Sequence, residues 1–218
     1  MHWFGAVEKV AQERGWRLVA LTKAGCPPYD ATVYNGKVGG GFSECDEWRA
    51  KTIDRIVDEE RPQIIFTGGS VRHRVVEDGK LLSGPPNSAA LQDGYERVLE
   101  RFAATGARVV AFEDLPQSPQ DMTDCVSAHL DDLRQCAYDE DANPADHFEE
   151  RATKDVDGVE LFDFTPAICD EQRLCHGVIG NALVYRDNDH MTATFSRTLA
   201  PWLEQALDGG DGTGSQRG

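Results

Sequence analysis

The sequence lacks any long apolar run, and it has few basic residues for its length. No segment of the 218 residues approaches the roughly 20 consecutive apolar residues that a membrane-spanning helix needs. Lys and Arg number 22 against 38 Asp and Glu, which gives a formal net charge of -16. Such a surface repels phosphate backbones and anionic headgroups, so the composition argues against nucleic acid or an anionic membrane surface as a partner. The first residues also lack the basic region and apolar stretch of a secretion signal, which taken alone predicts a cytosolic chain.

The sequence also lacks the tight Cys-x2-Cys knuckles that structural zinc sites usually show. Its six cysteines instead form three couples that are close in sequence: Cys26 with Cys45, Cys125 with Cys136, and Cys169 with Cys175. An even number of cysteines in local couples favours disulfides and an oxidising compartment, in conflict with the missing secretion signal. Sequence spacing does not fix the pairing, and two alternatives stay open: a zinc site completed by His147 or His176, and buried free thiols.

Helical and strand patterns alternate along the chain. Short apolar segments predict buried strands at residues 17–22, 63–67, 107–112 and 159–164, and amphipathic patterns predict helices at residues 3–14, 43–60, 88–105, 147–153 and 191–207, the last split at Pro201. This order predicts an α/β fold, a three-layer flavodoxin-like parallel sheet with helices on both faces. We expect one domain over residues 1–208 and a disordered Gly/Asp/Ser tail at residues 209–218.

Asp187 lies three positions before His190, in the segment that leads into the last helical pattern. In that spacing a carboxylate can hold the imidazole Nδ1–H while Nε2 faces a hydroxyl, which is how a general base is built for a seryl nucleophile. The alternative is that Asp187 or Asp189 caps the terminal helix and that His190 is simply exposed. Neither Gly-Asp-Ser nor Gly-x-Ser-x-Gly occurs in the 218 residues, so the sequence contains a candidate base without its nucleophile.

Several stretches, taken in order, resemble one family. They are Trp16-Arg17-Leu18-Val19, Thr22-Lys23-Ala24-Gly25-Cys26-Pro27-Pro28, Glu44-Cys45-Asp46-Glu47-Trp48-Arg49, Arg61-Pro62-Gln63-Ile64-Ile65, Thr165-Pro166-Ala167-Ile168-Cys169-Asp170, Cys175, and Tyr185-Arg186-Asp187-Asn188-Asp189-His190-Met191-Thr192. Together they are similar to the SGNH domain, an SGNH hydrolase-like domain fused to membrane acyltransferases of the acyltransferase-3 type. The resemblance spans nearly the whole chain.

The resemblance implies an O-acyltransferase or esterase that moves acyl groups, commonly acetyl, to or from hydroxyls of cell-envelope glycans. The implied partners are a glycan or other hydroxyl-bearing acceptor and a fused membrane acyltransferase domain, with the SGNH domain on the extracytoplasmic face of the membrane. Asp187 and His190 match the family's acid and base. The backbone N–H groups of Gly25 and Gly68 are candidate oxyanion donors, since glycine allows the backbone to approach a developing oxyanion. No cofactor and no metal are expected.

In this family the first strand ends in Gly-Asp-Ser-His, and its Ser is the nucleophile. Met1-His2-Trp3-Phe4 resembles the segment that follows this motif, so we expect a fragment without its first strand that is, alone, inactive or nearly so. An uncovered sheet edge would also make the isolated polypeptide poorly soluble or marginally stable. Two alternatives remain: a non-catalytic glycan-binding domain, and a cytosolic flavodoxin-like domain that binds a nucleotide at Gly39-Gly40-Gly41 or Gly68-Gly69. Neither glycine stretch matches a complete phosphate-loop pattern.

Overall fold

The computed structural model describes residues 2–209, and these residues form two compact units. The sheet unit comprises Leu21–Asp114 and Ala145–Phe162, and the terminal unit comprises residues 2–20, Leu115–Pro144 and residues 163–209. Residues 210–218, which make up nearly all of the predicted disordered tail, lie outside the described residues. The single domain expected over residues 1–208 stays a prediction.

The described residues contain seven α-helices and a three-stranded sheet. The helices are α1 (Phe4–Glu13), α2 (Ser43–Asp54), α3 (Pro85–Ala103), α4 (Met122–Ala128), α5 (Phe148–Lys154), α6 (Ala193–Thr198) and α7 (Ala200–Leu207). The sheet strands are β1 (Ile64–Thr67), β2 (Arg108–Phe112) and β3 (Val159–Phe162). Two-residue strands form four further antiparallel pairs: Tyr34–Asn35 with Gly40–Gly41, Val76–Glu77 with Lys80–Leu81, Tyr138–Asp139 with Leu174–Cys175, and Val178–Ile179 with Ala182–Leu183.

The sheet unit is built around the parallel sheet. β2 lies between β1 and β3, and both pairings are parallel, with Ile64 opposite Arg108 and Val109 opposite Val159. Parallel neighbours need a crossover connection, and the chain forms α3 between β1 and β2 and α5 before β3. The strands predicted near residues 63–67, 107–112 and 159–164 are therefore confirmed with slightly shifted ends, and the mixed α/β class is confirmed with them.

The core of the sheet unit includes one face of α3. Leu91, Val98 and Leu99 are almost fully buried in the same cluster as Val109 of β2. Residues seven and eight positions apart lie on one side of a helix, so the apolar spacing of α3 gives it a single buried face. Burying each of these side chains contributes about 1.5–3 kcal/mol relative to leaving it exposed.

Two predicted helices differ from their predicted form. The helix expected at residues 43–60 is α-helical only to Asp54 and continues as a π-helix over Arg55–Glu60, which Arg61 ends with a φ of 42°. The helix expected at residues 191–207 with a split at Pro201 is divided as expected, into α6 and α7, but the division lies at Leu199. Pro201 lies in the first turn of α7, where proline is well tolerated because the N–H it lacks would have no partner within the helix.

In the terminal unit, α1 packs closely against α6. A Cβ atom at Gly5 would lie 2.8 Å from the Ser196 hydroxyl oxygen, so only glycine permits this approach. The same hydroxyl accepts the Ala6 N–H at 3.3 Å. At the other end of α1, the Arg14 guanidinium binds the Asp208 carboxylate at 2.9 Å, just after α7. These contacts hold α1 against the last two helices.

The strand predicted at residues 17–22 is wrong. The segment belongs to no strand, and Leu18 is 38% exposed. Among residues 2–209, no backbone group of Leu18–Thr22 forms a hydrogen bond to another backbone group. A strand needs a hydrogen-bonded neighbour, and apolar composition alone does not supply one.

Disulfides join the cysteines in the three predicted couples: Cys26–Cys45 in the sheet unit, and Cys125–Cys136 and Cys169–Cys175 in the terminal unit. All six cysteines are thus bonded, and the alternatives of a cysteine zinc site and of free thiols are wrong. Within residues 2–209, no helix combines the length and the apolar character that crossing a bilayer requires.

Candidate active site

The segment between Tyr185 and Met191 forms a tight loop that brings Asp187 to His190. Tyr185 and Met191 pair as an isolated antiparallel bridge, and the Arg186 N–H donates to the His190 carbonyl at 2.9 Å. Asp187 Oδ1 accepts the N–H of Asp189 at 3.0 Å and that of His190 at 2.7 Å. The other carboxylate oxygen, Oδ2, lies 2.8 Å from His190 Nδ1. The loop therefore places the Asp187 carboxylate within hydrogen-bonding distance of the His190 imidazole, as the Asp-x-x-His spacing predicts.

The alternative of a helix cap does not describe these carboxylates. The residue that caps α6 is Thr192, whose hydroxyl oxygen accepts the Phe195 N–H at 3.1 Å. The His190 side chain is 52% exposed, as that alternative assumed, but its ring is oriented by Asp187. Because a carboxylate accepts at Nδ1, the proton of the neutral ring belongs on Nδ1, and Nε2 is the atom that can take up a proton.

The Asp187 carboxyl group stays ionised far below neutral pH. Burial acts to raise the pKa of Asp187, but the backbone N–H groups of His190 and Asp189 and the His190 ring outweigh it and lower the pKa to about 2. Asp187 is therefore a negatively charged acceptor whenever the imidazole is neutral and able to act as a base.

The segment Leu115–Pro144 supports the loop from the side. The Ser118 N–H donates to the Asn188 carbonyl at 2.9 Å, and the Met122 N–H donates to the Asp187 carbonyl at 3.0 Å. The Thr123 hydroxyl donates to the Arg186 carbonyl at 2.7 Å. Three consecutive loop carbonyls are thus held by residues at and before the start of α4, and this fixes the backbone that carries the pair.

His2, just before α1, lies beside His190. The centroids of the two imidazole rings are 6.3 Å apart. Burial lowers the pKa of His2 to about 3, so this ring is uncharged at neutral pH and does not repel an imidazolium at position 190. The neighbouring Trp3 packs on Phe164 with ring centroids 5.0 Å apart. The start of α1 is thereby positioned next to the candidate base.

The two glycines predicted as oxyanion donors lie in the sheet unit. Gly25 has a φ of 66° and follows the start of a turn in which the Cys26 N–H donates to the Lys23 carbonyl at 3.1 Å. At Gly68, which follows β1, a Cβ atom would lie 3.3 Å from Phe112 Cβ, so glycine allows close packing on β2. Local backbone geometry accounts for both glycines, and their oxyanion role stays a prediction.

The structure adds two residues that the spacing argument did not include. Asp189 Oδ1 lies 2.8 Å from His190 Nδ1, as near as the carboxylate of Asp187. Gln117 is 6% exposed, and its amide nitrogen is 3.5 Å from Asp189 Oδ2. The Asp-x-Asp-His sequence gave a signal for Asp189, whereas Gln117 lies 72 positions away from Asp189 and gave none.

The fold and this loop define an α/β protein with a carboxylate-held histidine of the kind that serves serine esterases and acyltransferases. The model of one family, described as the SGNH domain fused to AT3 domains, matches residues 1–205, and the chain belongs to this family.

Comparison with solved structures gives the same fold. A lipopolysaccharide acetyltransferase periplasmic domain of Salmonella ser. Paratyphi A is similar, with a TM-score of 0.67 and 15% sequence identity. The match covers 94% of this chain and 78% of the Salmonella chain. Comparison with curated proteins gives no match.

Proposed function

We propose that this chain is an acyl-transfer domain that moves acetyl or other acyl groups to or from hydroxyls of cell-envelope glycans. The observation that carries the proposal is the contact between Asp187 Oδ2 and His190 Nδ1 at 2.8 Å, in a loop next to the start of α1. Membership of the SGNH family supports the acyl chemistry, and the similarity to a lipopolysaccharide acetyltransferase domain supports an envelope glycan as acceptor. The proposed partner is a membrane acyltransferase domain, and the proposed location is extracytoplasmic, where disulfides such as these three form.

In the proposed mechanism, His190 acts first as a base and then as an acid. Its Nε2 takes the proton of a seryl hydroxyl while the seryl oxygen attacks the acyl carbonyl, and the protonated ring then gives that proton to the leaving oxygen. In the second half-reaction Nε2 takes the proton of the glycan hydroxyl or of water, whose oxygen attacks the acyl-serine. The ring then gives this proton to the leaving seryl oxygen, which restores the seryl hydroxyl and the neutral imidazole. Asp187 holds the tautomer and stabilises the imidazolium.

The 218 residues contain no Gly-Asp-Ser, and we propose that the hydroxyl in this mechanism comes from outside them. We propose a strand that ends in Ser just ahead of α1, because His2 brings that end of the helix beside the His190 ring. The complete fold that we propose is a three-layer flavodoxin-like parallel sheet with helices on both faces. Gly25 and Gly68 remain the proposed oxyanion donors.

The test adds a short apolar strand ending in Gly-Asp-Ser to the start of the chain. We expect the extended protein to form an acetyl-serine when treated with p-nitrophenyl acetate, detected as a mass increase of one acetyl group on the added Ser. Its rate of p-nitrophenol release should exceed that of the unextended chain by roughly 10²–10⁴, the contribution of a complete catalytic triad and general base.

Two variants of the extended protein serve as controls. Replacing the added Ser by Ala, or His190 by Ala, should return the rate to that of the unextended chain. If the unextended chain already hydrolyses the ester in a His190-dependent manner, the missing-nucleophile proposal is wrong. If the extended protein binds an envelope glycan but forms no acyl-serine, the chain is a glycan-binding domain instead.

A further inference from the structure

His190 Nδ1 has two carboxylates at the same distance, although an acyl-transfer triad requires one. Asp187 Oδ2 and Asp189 Oδ1 each lie 2.8 Å from this nitrogen. The Nδ1–H points to Asp187, which makes the aligned hydrogen bond. A small rotation of the ring would redirect the same N–H to Asp189. We propose that Asp189 is a second positioning residue, able to replace Asp187 as the acceptor of the His190 Nδ1–H. The proposal rests on the proposed function of His190 as a base.

The two carboxylates are held by different parts of the terminal unit. Asp187 is fixed through Oδ1, which accepts two backbone N–H groups of its own loop. Asp189 faces the amide nitrogen of Gln117 at 3.5 Å through Oδ2, which leaves Oδ1 for the ring. Gln117 is 6% exposed, and its own amide oxygen is 3.5 Å from Asn143 Nδ2. A buried amide thus orients Asp189, whereas an ordinary surface carboxylate turns freely.

Two structural roles in this loop belong to residues other than Asp189. The cap of α6 is Thr192, and the backbone turn is closed by Asp187 Oδ1. The ligand atoms of Asp187, Asp189 and His190 also lie within 4.8 Å of one another, but exposed acidic groups are often this close without an ion. The distances to Nδ1 account for the arrangement through hydrogen bonding.

The second carboxylate changes what the loss of Asp187 does. In a triad with one carboxylate, replacing it by Asn leaves the imidazole in the wrong tautomer and lowers kcat by about 10⁴. Here Asp189 remains beside Nδ1 when Asp187 is replaced. Because hydrogen bonds to an ionised acceptor are roughly twice as strong as neutral ones, the Nδ1–H tautomer is retained.

The test reads the tautomer of His190 directly by ¹⁵N NMR of the chain itself, at a pH where the ring is neutral. The ring nitrogens are compared in the wild type, Asp187→Asn, Asp189→Asn and the double variant. We expect Nδ1–H to remain the major tautomer in both single variants and Nε2–H to become the major one in the double variant. His176, which lies 3.4 Å from Asp170 through Nε2, is the internal reference and should not change.

One result overturns the proposal: Asp187→Asn alone shifts the tautomer as far as the double variant does. If Asp187→Asn does not fold, Asp187→Ser replaces it, since the hydroxyl oxygen still accepts the loop N–H groups. Adding Gln117→Ala to Asp187→Asn should also raise the Nε2–H fraction, and an unchanged tautomer there contradicts the role of Gln117. None of these readings requires a substrate, so they remain decisive even if the extended protein forms no acyl-serine.

Discussion

Glu149 is a carboxyl group in the interior of the sheet unit, in the first turn of α5. It is fully buried, and the neighbouring Phe148 packs edge-on against Tyr29 with ring centroids 4.9 Å apart. Burial raises the pKa of Glu149 well above its ordinary value, and the carboxylates of Asp114 and Glu113 add to this effect. The folded protein therefore holds a proton on this side chain at a pH where the unfolded chain has lost it.

The pH dependence of stability follows from that difference. Because the folded pKa of Glu149 exceeds the unfolded value of about 4.3, the stability is fully present below that value and is lost as pH rises through the folded pKa. Glu149→Gln, which cannot ionise, should therefore raise Tm relative to the wild type by a few degrees at pH 8, with a smaller gain at pH 5. Thermal unfolding at the two pH values measures this, and an equal effect at both would contradict it.

Glu150 is the matched control because it is the next residue and is exposed. Its carboxylate binds Lys154 at 2.7 Å, and this hydrogen bond lowers the pKa of Glu150. The sign of its pH dependence is thus opposite to that of Glu149. Glu150→Gln should lower the free energy of unfolding at pH 8 by less than about 0.5 kcal/mol, since exposed ion pairs on a helix contribute little.

At the scale of residues, the sequence identified contacts that are local and missed those that are not. Asp187 and His190 are three positions apart, and one short loop contains both of them, so the spacing alone indicated their contact. Gln117 reaches Asp189 only through the folded terminal unit, and no spacing rule contains that contact. The burial of Glu149 was equally invisible, because a glutamate near the start of a helix is usually exposed.

At the scale of elements, α4 and its disulfide support the candidate site. The Met122 N–H and the Thr123 hydroxyl hold the loop of His190, and Cys125 in the same helix is joined to Cys136. We expect Cys125→Ser with Cys136→Ser to lower the free energy of unfolding by about 2–4 kcal/mol. Because this disulfide lies next to the contacts that hold the loop, the Met122 and Ser118 amides should also exchange hydrogen faster in the double variant than in the wild type.

The control for this element is the disulfide Cys26–Cys45 in the sheet unit. Removing it in the same way should lower the overall stability as well. It should leave the exchange of the Met122 amide unchanged under conditions where exchange occurs by local opening. Exchange of the Met122 amide can be measured by hydrogen-exchange mass spectrometry or NMR. If this exchange is accelerated equally in both double variants, the Cys125–Cys136 disulfide has no local role.

A helix or strand was predictable from the sequence where the pattern that defines it lies in its own residues. The apolar positions of α3 repeat with the helical period, so both the helix and its buried face were evident. Arg17–Thr22 has the composition of a buried strand, but a strand is defined by a partner that the sequence does not name. The π-helical end of the segment after Asp54 had no signal of its own, because its side-chain pattern is that of any amphipathic helix.

At the scale of the whole molecule, the net charge of -16 opposes folding through self-repulsion. Salt weakens repulsion between exposed charges, since the screening length falls from about 30 Å at 0.01 M to about 3 Å at 1 M. Exposed ion pairs such as Arg14 with Asp208 are screened too, but acidic groups exceed basic ones. We therefore expect Tm to rise with NaCl, and a Tm that falls from 0.01 M to 1 M would contradict a dominant role of repulsion.

The segment Leu18–Thr22, which has no backbone hydrogen-bond partner among residues 2–209, affects how the purified protein behaves at high concentration. Among residues 2–209 its amides and carbonyls bond to no other backbone group, and two molecules that meet along this segment can satisfy those groups in each other. The rate at which monomer is lost from a purified sample should therefore increase with the square of the protein concentration. A short β-forming peptide in excess should compete with that self-association, so the monomer fraction of a concentrated sample should fall more slowly.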